Sequence, residues 1–346
     1  MMQISVIPGD GIGPEVIAEA LKVLRALDQR FALGASVTQV DLGAEAYLRD
    51  GAILPAAAID TLAHSDAILL GALGDPRVTP GILERGIIVA LRTRFRQPVN
   101  VRPCKTRPGI PSPLRDVGPT GCDFVIVREN TEGLYVGTGT SAHTGQQTAV
   151  AVHTSITTMT ATETAVRYAF TLARQRRRHL TLCHKTNILL DAGQLWMQAI
   201  ERISTQFPDV DVDYAHVDAM CLHLLQRPQR YDVIVTDNLF GDILSDLGAG
   251  IQGGLGTAAS ANLNLDGSAP SMFEPVHGSA PDIAGTGTAN PAAAILSVAM
   301  MLENLGHADA AAACDAAVNN ALQQVNTSGT AAFTRELGDA VVAEIG

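Results

Sequence analysis

A buried strand that leads directly into an amphipathic helix is the feature of this sequence that most restricts its fold. Tyr231–Val235 is mainly apolar and β-branched, which indicates a buried strand. Downstream the apolar residues recur at helical spacing, at Ile243, Leu244, Leu247 and Ile251. Strands and helices alternate in the same way along much of the chain. The pattern therefore predicts an α/β fold with a mainly parallel sheet.

Two carboxylates share one face of that helix. Asp242 and Asp246 are four residues apart, so their side chains leave the helix about one turn from each other. Like charges at this spacing repel unless a cation lies beside them, and Mg²⁺ or Mn²⁺ prefers oxygen ligands. The pattern alone leaves two interpretations open, a metal site or a solvated acidic helix face.

Length and charge narrow the classes of protein to consider. The 346 residues suffice for two compact units or one large α/β domain, and 47% of them are hydrophobic. The net charge of −11 disfavours a nucleic-acid surface, so an acidic substrate needs local arginines or a metal. The basic run at 174–179 is typical of a solvated helix end. With no signal-peptide pattern and no apolar stretch long enough to span a bilayer, the sequence predicts a cytoplasmic protein.

The N-terminal glycines do not predict an ordinary dinucleotide-binding fold. Gly9–Glu15 (GDGIGPE) follows a short strand and opens a helix, but its glycine spacing is GxGxG. The Rossmann fingerprint is GxGxxG with an acidic residue about 20 residues later. We therefore expect an α/β fold of another kind. The five cysteines are widely spaced and match neither a zinc pattern nor a disulfide framework.

Three arginines and two further polar side chains are candidates for chemistry. Arg92, Arg102 and Arg128 each lie at or near the end of an expected element, and arginine binds carboxylates bidentately. They suggest a substrate with two carboxylates, and the alternative is surface salt bridges. Tyr135 is a candidate proton donor or a packed tyrosine. Lys185, at a strand end, is a candidate base.

Long motifs carry a resemblance that joins these candidates. They are IPGDGIGPEV, NVRP, VRENTEGLY, HKTN, TDNLFGDILSDLGAG and FEPVHGSAPDIAGTGTANP, in this order from about Gln3 to Gly306. The chain resembles the β-decarboxylating dehydrogenases, which act on 3-isopropylmalate, isocitrate, homoisocitrate, or tartrate and D-malate. The resemblance implies a two-domain fold that is not a Rossmann fold. One domain is expected from 1–98 with 251–346, and the other, with a dimer arm at 137–159, from 99–250.

The resemblance also assigns roles to the candidates. It implies that Arg92, Arg102 and Arg128 bind the malate carboxylates. Tyr135 and Lys185 are the implied acid and base, with Lys185 acting across a homodimer interface. The implied Mg²⁺ or Mn²⁺ ligands are Asp242, Asp246 and Asp218, the last from the partner subunit. Asp237 is left out of this set because it precedes the turn.

The resemblance further implies the cofactor and a range of substrates. Asp282 and Ile283 stand where users of NADP are expected to carry Lys and Tyr, which favours NAD because a carboxylate repels a 2′-phosphate. The residues expected to bind NAD are Glu84, His277, Gly278, Ser279, Ala280, Asp282, Ile283 and Asn290. The apolar residues Ile87, Ile88 and the partner's Ile188 are expected to contact the substituent on C3.

An apolar contact of this kind suits an isopropyl group, since each buried CH₂ contributes about 0.8 kcal/mol. The expected reaction is thus the oxidative decarboxylation of 3-isopropylmalate to 4-methyl-2-oxopentanoate, a step of leucine biosynthesis. Homoisocitrate, tartrate, D-malate or another 3-substituted malate are alternatives. An alternative of another class is a catalytically silent regulatory paralogue, which is expected to lack Tyr135, Lys185 or one aspartate.

Overall fold

The computed structural model describes residues 1–115, 117, 121–325 and 333–346. Contacts within the chain define two compact units, each described here by itself. Unit 1 comprises Met1–Gln97, Arg102–Cys122 and Gly248–Gly346. Unit 2 comprises Pro98–Val101 and Asp123–Leu247.

Twelve strands lie within the described residues. They are β1 (Met2–Gly9), β2 (Ala35–Gln39), β3 (Ala67–Ala72), β4 (Val99–Lys105), β5 (Asp123–Glu129), β6 (Gly139–Ala142), β7 (Val150–His153), β8 (His179–His184), β9 (Asp211–His216), β10 (Val233–Thr236), β11 (Ala259–Leu263) and β12 (Ser271–Pro275).

Eleven α-helices lie within the same described ranges. They are α1 (Gly13–Phe31), α2 (Ala44–Asp50), α3 (Ala56–Ala63), α4 (Ala90–Arg94), α5 (Met159–Gln175), α6 (Leu190–Ser204), α7 (Val217–Gln226), α8 (Asn238–Ile251), α9 (Ala292–Asn304), α10 (Ala308–Gln324) and α11 (Phe333–Ile345). No helix in this described part of the chain is both long and apolar enough to cross a membrane.

Unit 1 is built on strands in the order β2-β1-β3-β12-β11. The pairs β1–β2, β1–β3 and β3–β12 are parallel, and β11–β12 is antiparallel. Every residue of β3 is buried, as parallel strands require when helices cover both faces of a sheet. Helices α1 and α9 contact β3, and α9 also packs on α1 and α10. Burial on nearly all sides explains why α9 is so rich in Ala, Leu and Met.

Unit 2 has four parallel strands in the order β5-β10-β8-β9. Helix α5 packs against β5, β8 and β10, and α6 packs against α5. Trp196 of α6 is 1% exposed and lies in the core. The basic run after α5 pairs with carboxylates, since Arg176 binds both Asp123 and Asp232.

An exposed hairpin projects from the sequence between β5 and α5. Strands β6 and β7 pair antiparallel, with Gly139 opposite His153, and every residue of both is exposed. The hairpin lies within the segment 137–159, which was expected to form a dimer arm. Its role as a dimer arm remains a prediction.

The contacts of the chain differ mainly in one segment from the expected domain division, which placed 99–250 together. Residues 102–122 belong to unit 1. Arg107 explains this, because its guanidinium binds Asp315 and Asn319 of α10 at 2.7 Å each. A Cβ on Gly109 would lie 2.0 Å from the carbonyl oxygen of Leu322, so this segment runs close against α10. Nothing in the local sequence shows this long-range pairing.

Two local features bear on the candidate residues. Asn262 belongs to β11, and its amide donates a 2.8 Å hydrogen bond to the buried carboxylate of Glu274. Glu84–Val89 forms a π-helical turn that leads into α4.

Candidate active site

Parallel pairing brings together the candidate residues of unit 2. Thr236 at the end of β10 lies opposite Arg128 near the end of β5. Helix α8 starts just after β10, so its first turns lie beside Arg128. Ligands of open α/β sheets bind at this edge, where strand ends and helix N-termini meet.

Arg128 is the centre of a group that we call the arginine cluster, formed by Arg128, Tyr135, Asn238 and Asp242. The Arg128 guanidinium forms an ion pair with Oδ1 of Asp242, and its Nε donates a 2.8 Å hydrogen bond to Asn238. The Tyr135 hydroxyl donates to Oδ2 of Asp242 at 2.6 Å. The guanidinium carbon lies 5.0 Å from the centre of the Tyr135 ring. Since Arg128 is 1% exposed, these contacts supply the partners that a buried cation needs.

A glycine on α8 makes this packing feasible. A Cβ on Gly241 would lie 2.6 Å from Cγ and 2.7 Å from Cβ of Arg128. Only a residue without a side chain permits the aliphatic part of Arg128 to run along the helix at this distance. The glycine in NLFGD therefore fixes where the guanidinium meets Asp242.

The environment of Tyr135 keeps its proton on the phenol. Burial raises the pKa of Tyr135, and the hydrogen bond to Asp242 raises that pKa as well, while Arg128 opposes the shift. A general acid must carry its proton at the working pH. The structure thus gives Tyr135 the protonation state that a proton donor requires.

The two carboxylates of α8 fit a hard divalent cation in their chemistry. Asp242 lies at the base of the arginine cluster with its side chain 38% exposed, and Asp246 is exposed one turn further along. Carboxylate oxygens are the ligands that hard divalent cations prefer. The described residues contain no group of three or more His, Cys, Asp or Glu that could hold a metal ion.

Lys185 and Asp218 form a second group in unit 2. Lys185 follows β8, Asp218 lies in the first turn of α7, and β8 and β9 pair in parallel with His184 opposite His216. The Lys185 ammonium donates to Asp218 at 2.8 Å. This hydrogen bond is the largest cause of the lowered pKa of the Asp218 carboxyl. The structure therefore brings the expected base beside one expected metal ligand.

Several large apolar side chains of unit 2 are exposed on the surface of the chain. Ile188 is 67% and Leu190 is 68% exposed, and both follow Lys185 closely in the sequence. Leu222 and Leu225 of α7 are 53% and 49% exposed, and Ile243 of α8 is 52% exposed. Exposed apolar side chains that form one patch are typical of protein–protein interfaces.

Two residues at the start of α8 have structural roles that residue patterns only partly indicated. Asp237 accepts a 2.8 Å hydrogen bond from the backbone N–H of Phe240, so it caps the helix. Burial raises its pKa to about 6, and the nearby Glu129 carboxylate adds to the shift. Asn238 was not among the candidates, although it bridges Arg128 and the carbonyl oxygen of Glu132. An asparagine at a helix start was the only local signal for it.

The two candidate arginines of unit 1 are buried. Arg92 and Arg102 are each 7% exposed. Nη2 of Arg92 lies 3.2 Å from Oε1 of Glu274, which also accepts the hydrogen bond from Asn262. Buried charges need such paired carboxylates. The alternative of exposed surface salt bridges therefore does not describe Arg92.

The residues expected at the C3 substituent occupy different environments. Ile87 is 0% exposed and packs in the core of unit 1 with Leu83, Leu91 and Phe95. Ile88 is half-buried at the edge of that core, and Glu84 is exposed. The structure therefore places Ile87 within the core. Of this pair, Ile88 is the one with exposed surface.

The loop expected to bind NAD has no regular secondary structure. The carbonyl oxygen of Ser279 accepts a 2.8 Å hydrogen bond from Ile12. A Cβ on Gly11, which has φ +56°, would lie 2.0 Å from that oxygen, so the GDGIG turn and this loop are in backbone contact. Ala280 adopts φ +38°, a strained value for a residue with a side chain.

The other loop residues differ in exposure. His277 is half-buried, and burial lowers its pKa, which favours a neutral imidazole. Asn290 accepts a 2.9 Å hydrogen bond from the N–H of Ala292, the first residue of α9. Asp282 and Ile283 are exposed, and so is Gly278. A nucleotide can bind only to side chains and backbone that are accessible, as these residues are.

Comparisons with known proteins agree along the whole chain. A family model described as isocitrate/isopropylmalate dehydrogenase matches residues 3–342. A 3-isopropylmalate dehydrogenase of Thermobifida fusca is 49% identical over 345 residues, covering 99% of this chain and 98% of that protein. A 3-isopropylmalate dehydrogenase of Nocardia farcinica is 51% identical over 344 residues, with 99% and 100% covered.

A solved structure has the same fold. The crystal structure of isocitrate dehydrogenase from Methylococcus capsulatus aligns with a TM-score of 0.89 and 36% identity, over 100% of this chain and 99% of that one. This confirms the predicted α/β fold of the isopropylmalate/isocitrate dehydrogenase type. The chain thus belongs to the isocitrate/isopropylmalate dehydrogenase family and is a β-decarboxylating dehydrogenase.

Proposed function

We propose that the protein oxidises and decarboxylates (2R)-malate substituted at C3, and that its substrate is 3-isopropylmalate, converted to 4-methyl-2-oxopentanoate in leucine biosynthesis. The observation that carries the chemistry is the arginine cluster, in which a protonated Tyr135 contacts the carboxylate of Asp242. Support for the substrate comes from relatives about half identical in sequence that are named 3-isopropylmalate dehydrogenase.

The reaction type depends on two groups that the chain would bind, NAD and a divalent metal ion. When bound, NAD would supply the hydride acceptor, and Mg²⁺ or Mn²⁺ would supply positive charge that stabilises oxygen anions of the substrate. Asp242 and Asp246, with Asp218 of a second subunit, would hold the cation. Glu84, Asn290 and the loop around Ser279 would hold the NAD, with Asp282 disfavouring a 2′-phosphate.

Lys185 and Tyr135 handle the protons. Lys185 accepts the proton of the C2 hydroxyl as C2 is oxidised to a carbonyl. The bond between C3 and its carboxylate then breaks, CO₂ leaves, and the electron pair passes into an enolate. Tyr135 delivers its phenol proton to C3 and completes the ketone. Buried donors such as Arg128 stabilise the charge that develops, because they are already oriented.

The arginines orient the substrate. Arg92, Arg102 and Arg128 would bind its carboxylates, and a guanidinium held by fixed partners loses little entropy on binding. Glu274 and Asn238 supply such partners for Arg92 and Arg128. Ile88, with Ile188 of a second subunit, would contact the substituent on C3.

Turnover of a panel of acids tests the substrate. NADH formation with Mn²⁺ is measured for 3-isopropylmalate, homoisocitrate, isocitrate, D-malate and tartrate, with NADP in place of NAD as a parallel series. We expect the highest kcat/KM with 3-isopropylmalate and NAD. A higher kcat/KM for homoisocitrate or tartrate contradicts the proposed substrate. No turnover of any acid by the wild-type protein favours the silent regulatory paralogue.

We further propose a homodimer with shared sites, working in the cytoplasm. The exposed apolar residues around Lys185 and on α7 supply the kind of surface that a stable interface buries. A two-fold interface places the same patch on both subunits. In this arrangement Lys185 and Asp218 of one subunit serve the site that contains Asp242 of the other.

Mixing two inactive variants tests the shared site. Lys185→Ala and Asp242→Asn are unfolded and refolded together in equal amounts. Random pairing makes half of the dimers mixed, and each mixed dimer has one intact site, so about a quarter of the wild-type activity returns. If each chain forms its own complete site, the mixture stays as inactive as either variant alone.

A further inference from the structure

The hydroxyl of Tyr214 contacts four polar groups, and three of them belong to the residues immediately before and after Lys185. Its oxygen is 3.1 Å from the carbonyl oxygen of His184 and 3.2 Å from the backbone nitrogen of Thr186. It is 2.8 Å from Oγ1 of Thr186 and 2.8 Å from Nδ1 of His216. The backbone immediately before and after Lys185 is thus in contact with one side-chain oxygen.

This oxygen connects two strand ends. Tyr214 and His216 are on β9, whereas His184 ends β8, and the two strands pair in parallel. Asp218, the partner of the Lys185 ammonium, follows His216 by two residues. The turn that carries Lys185 and the turn that carries Asp218 are therefore linked both through their side chains and through Tyr214.

The Tyr214 hydroxyl has three hydrogen-bonding sites for these contacts. A phenol has one proton to donate and two lone pairs to accept with. The carbonyl oxygen of His184 can only accept, so it takes the proton, and the Thr186 backbone N–H donates to one lone pair. The other lone pair accepts from the Thr186 hydroxyl or from the His216 ring. All three sites are thus engaged, and three of the four contacts can be hydrogen bonds at the same time.

The rest of the Lys185 turn is fixed from other directions. The His184 ring is 1% exposed and lies 5.9 Å from the Trp196 ring and 5.7 Å from the Phe240 ring, measured between ring centres. A Cβ on Gly193 would lie 2.8 Å from Cα of Thr186, so α6 packs closely against the turn. Packing holds one side of the turn, and the Tyr214 hydroxyl supplies the polar contacts on the other.

We propose that Tyr214 is a positioning residue, whose hydroxyl holds the turn bearing Lys185 in register with the turn bearing Asp218. The effect of Tyr214 on catalysis rests on the proposed function, in which Lys185 is the base. A second effect does not depend on turnover, because the hydroxyl also fixes the surroundings of the Lys185 amine. A base displaced by a fraction of an ångström loses rate, while substrate and cofactor still bind.

Tyr214→Phe removes the oxygen and retains the ring. We expect kcat to fall about 10- to 100-fold while KM for the substrate and for NAD stays within about threefold. A general loss of structure instead changes KM and lowers the melting temperature together. A kcat within twofold of wild type contradicts the proposed role.

Chemical modification supplies the readout that needs no turnover. The chain has only three lysines, Lys22, Lys105 and Lys185, so mass spectrometry resolves the acetylation of each. We expect Tyr214→Phe to change the acetylation rate of Lys185 by about threefold or more relative to Lys22 and Lys105. If the ratio is unchanged, the hydroxyl does not position the amine. This result stands whether or not the protein turns over any malate, so it separates the two proposals.

Tyr231→Phe is the matched control. Its hydroxyl also contacts a histidine ring nitrogen in unit 2, Nδ1 of His223 at 2.8 Å, but not the Lys185 turn. Equal effects of the two substitutions on kcat or on Lys185 acetylation overturn the proposal. If Tyr214→Phe does not fold, Thr186→Val removes one of the four contacts with little change of shape. The same two readouts then decide, with a smaller fall in kcat expected and an unchanged value contradicting the proposal.

Discussion

The hydroxyl of Tyr135 donates a 2.6 Å hydrogen bond to one carboxylate oxygen of Asp242, and Arg128 pairs with the other oxygen. The proposed acid and a proposed metal ligand are therefore joined through one carboxylate. Gly241 permits this geometry by letting Arg128 approach the backbone of α8. Substitutions at either end of the hydrogen bond accordingly test different parts of the proposed mechanism.

Asp242→Asn removes the charge from this carboxylate and keeps its shape. We expect Mn²⁺ binding, followed by electron paramagnetic resonance of the free ion, to weaken about tenfold or more, because an amide oxygen is a poorer ligand for hard cations. NADH formation is expected to fall about 100-fold. Asp60→Asn, on the exposed surface of α3, is the control and should change neither quantity. If Asp242→Asn binds Mn²⁺ as tightly as the wild type, Asp242 is not a metal ligand.

Tyr135→Phe removes the proposed proton donor. We expect kcat to fall about 10²- to 10⁴-fold, the range found for loss of a general acid or base, with KM for the substrate nearly unchanged. Steady-state NADH formation measures both constants. Tyr47→Phe, a tyrosine packed against the core of unit 1, is the control. A fall in kcat of less than about threefold would assign the final proton transfer to another group.

Ile87→Ala and Ile88→Ala separate a core position from a proposed substrate contact. We expect Ile87→Ala to lower the free energy of unfolding by about 2–5 kcal/mol, because it leaves a cavity in the core. Ile88→Ala should cost much less stability but lower kcat/KM for 3-isopropylmalate roughly tenfold, since it removes apolar contact with the substituent. Urea unfolding and steady-state kinetics measure the two effects. The reverse pattern contradicts the assignment of Ile88 to the substrate.

The pair Asp282→Lys with Ile283→Tyr tests the cofactor. Both residues are exposed, so the exchange is expected to leave the fold intact. A lysine attracts the 2′-phosphate that a carboxylate repels, so kcat/KM for NADP should rise about tenfold and that for NAD should fall about tenfold. Asp309→Lys on α10 controls for the added positive charge. An unchanged ratio of NAD to NADP use indicates that this loop does not contact the adenosine ribose.

Asp237→Asn tests the pH dependence of stability at the start of α8. The pKa of Asp237 is about 6 in the folded chain and 3.8 in the unfolded chain, so the folded state binds this proton more tightly. The stabilisation that comes from binding this proton is complete below pH 3.8 and is lost as the pH rises through 6. Above that pH the buried carboxylate destabilises the protein by up to roughly 3 kcal/mol.

Asparagine retains the acceptor that caps Phe240 and has no charge to bury. The melting temperature of Asp237→Asn should therefore exceed that of wild type by more at pH 8 than at pH 5. Thermal unfolding at the two pH values measures the difference, and Asp232→Asn is an informative contrast because Asp232 binds Arg176. A gain that is the same at both pH values contradicts the assigned pKa.

The sequence by itself determined the α/β class, most strand positions and the identity of the polar candidates. Buried strands such as β3 and β10 follow from local apolar runs, and helices follow from spacing, because both signals arise within a few residues. Asp242 and Asp246 share a helix face for the same local reason. The long motifs then tied Tyr135, Lys185 and the arginines to a family.

Only the tertiary structure decided the contacts between distant residues. It placed Ile87 in the core, attached 102–122 to unit 1 through Arg107, and placed the Tyr214 hydroxyl beside Lys185. Burial raised the pKa of Asp237, and close packing at Gly241 brought Arg128 to Asp242. None of these follows from periodicity or propensity, because each depends on which strands pair and which side chains share a small volume far apart along the chain.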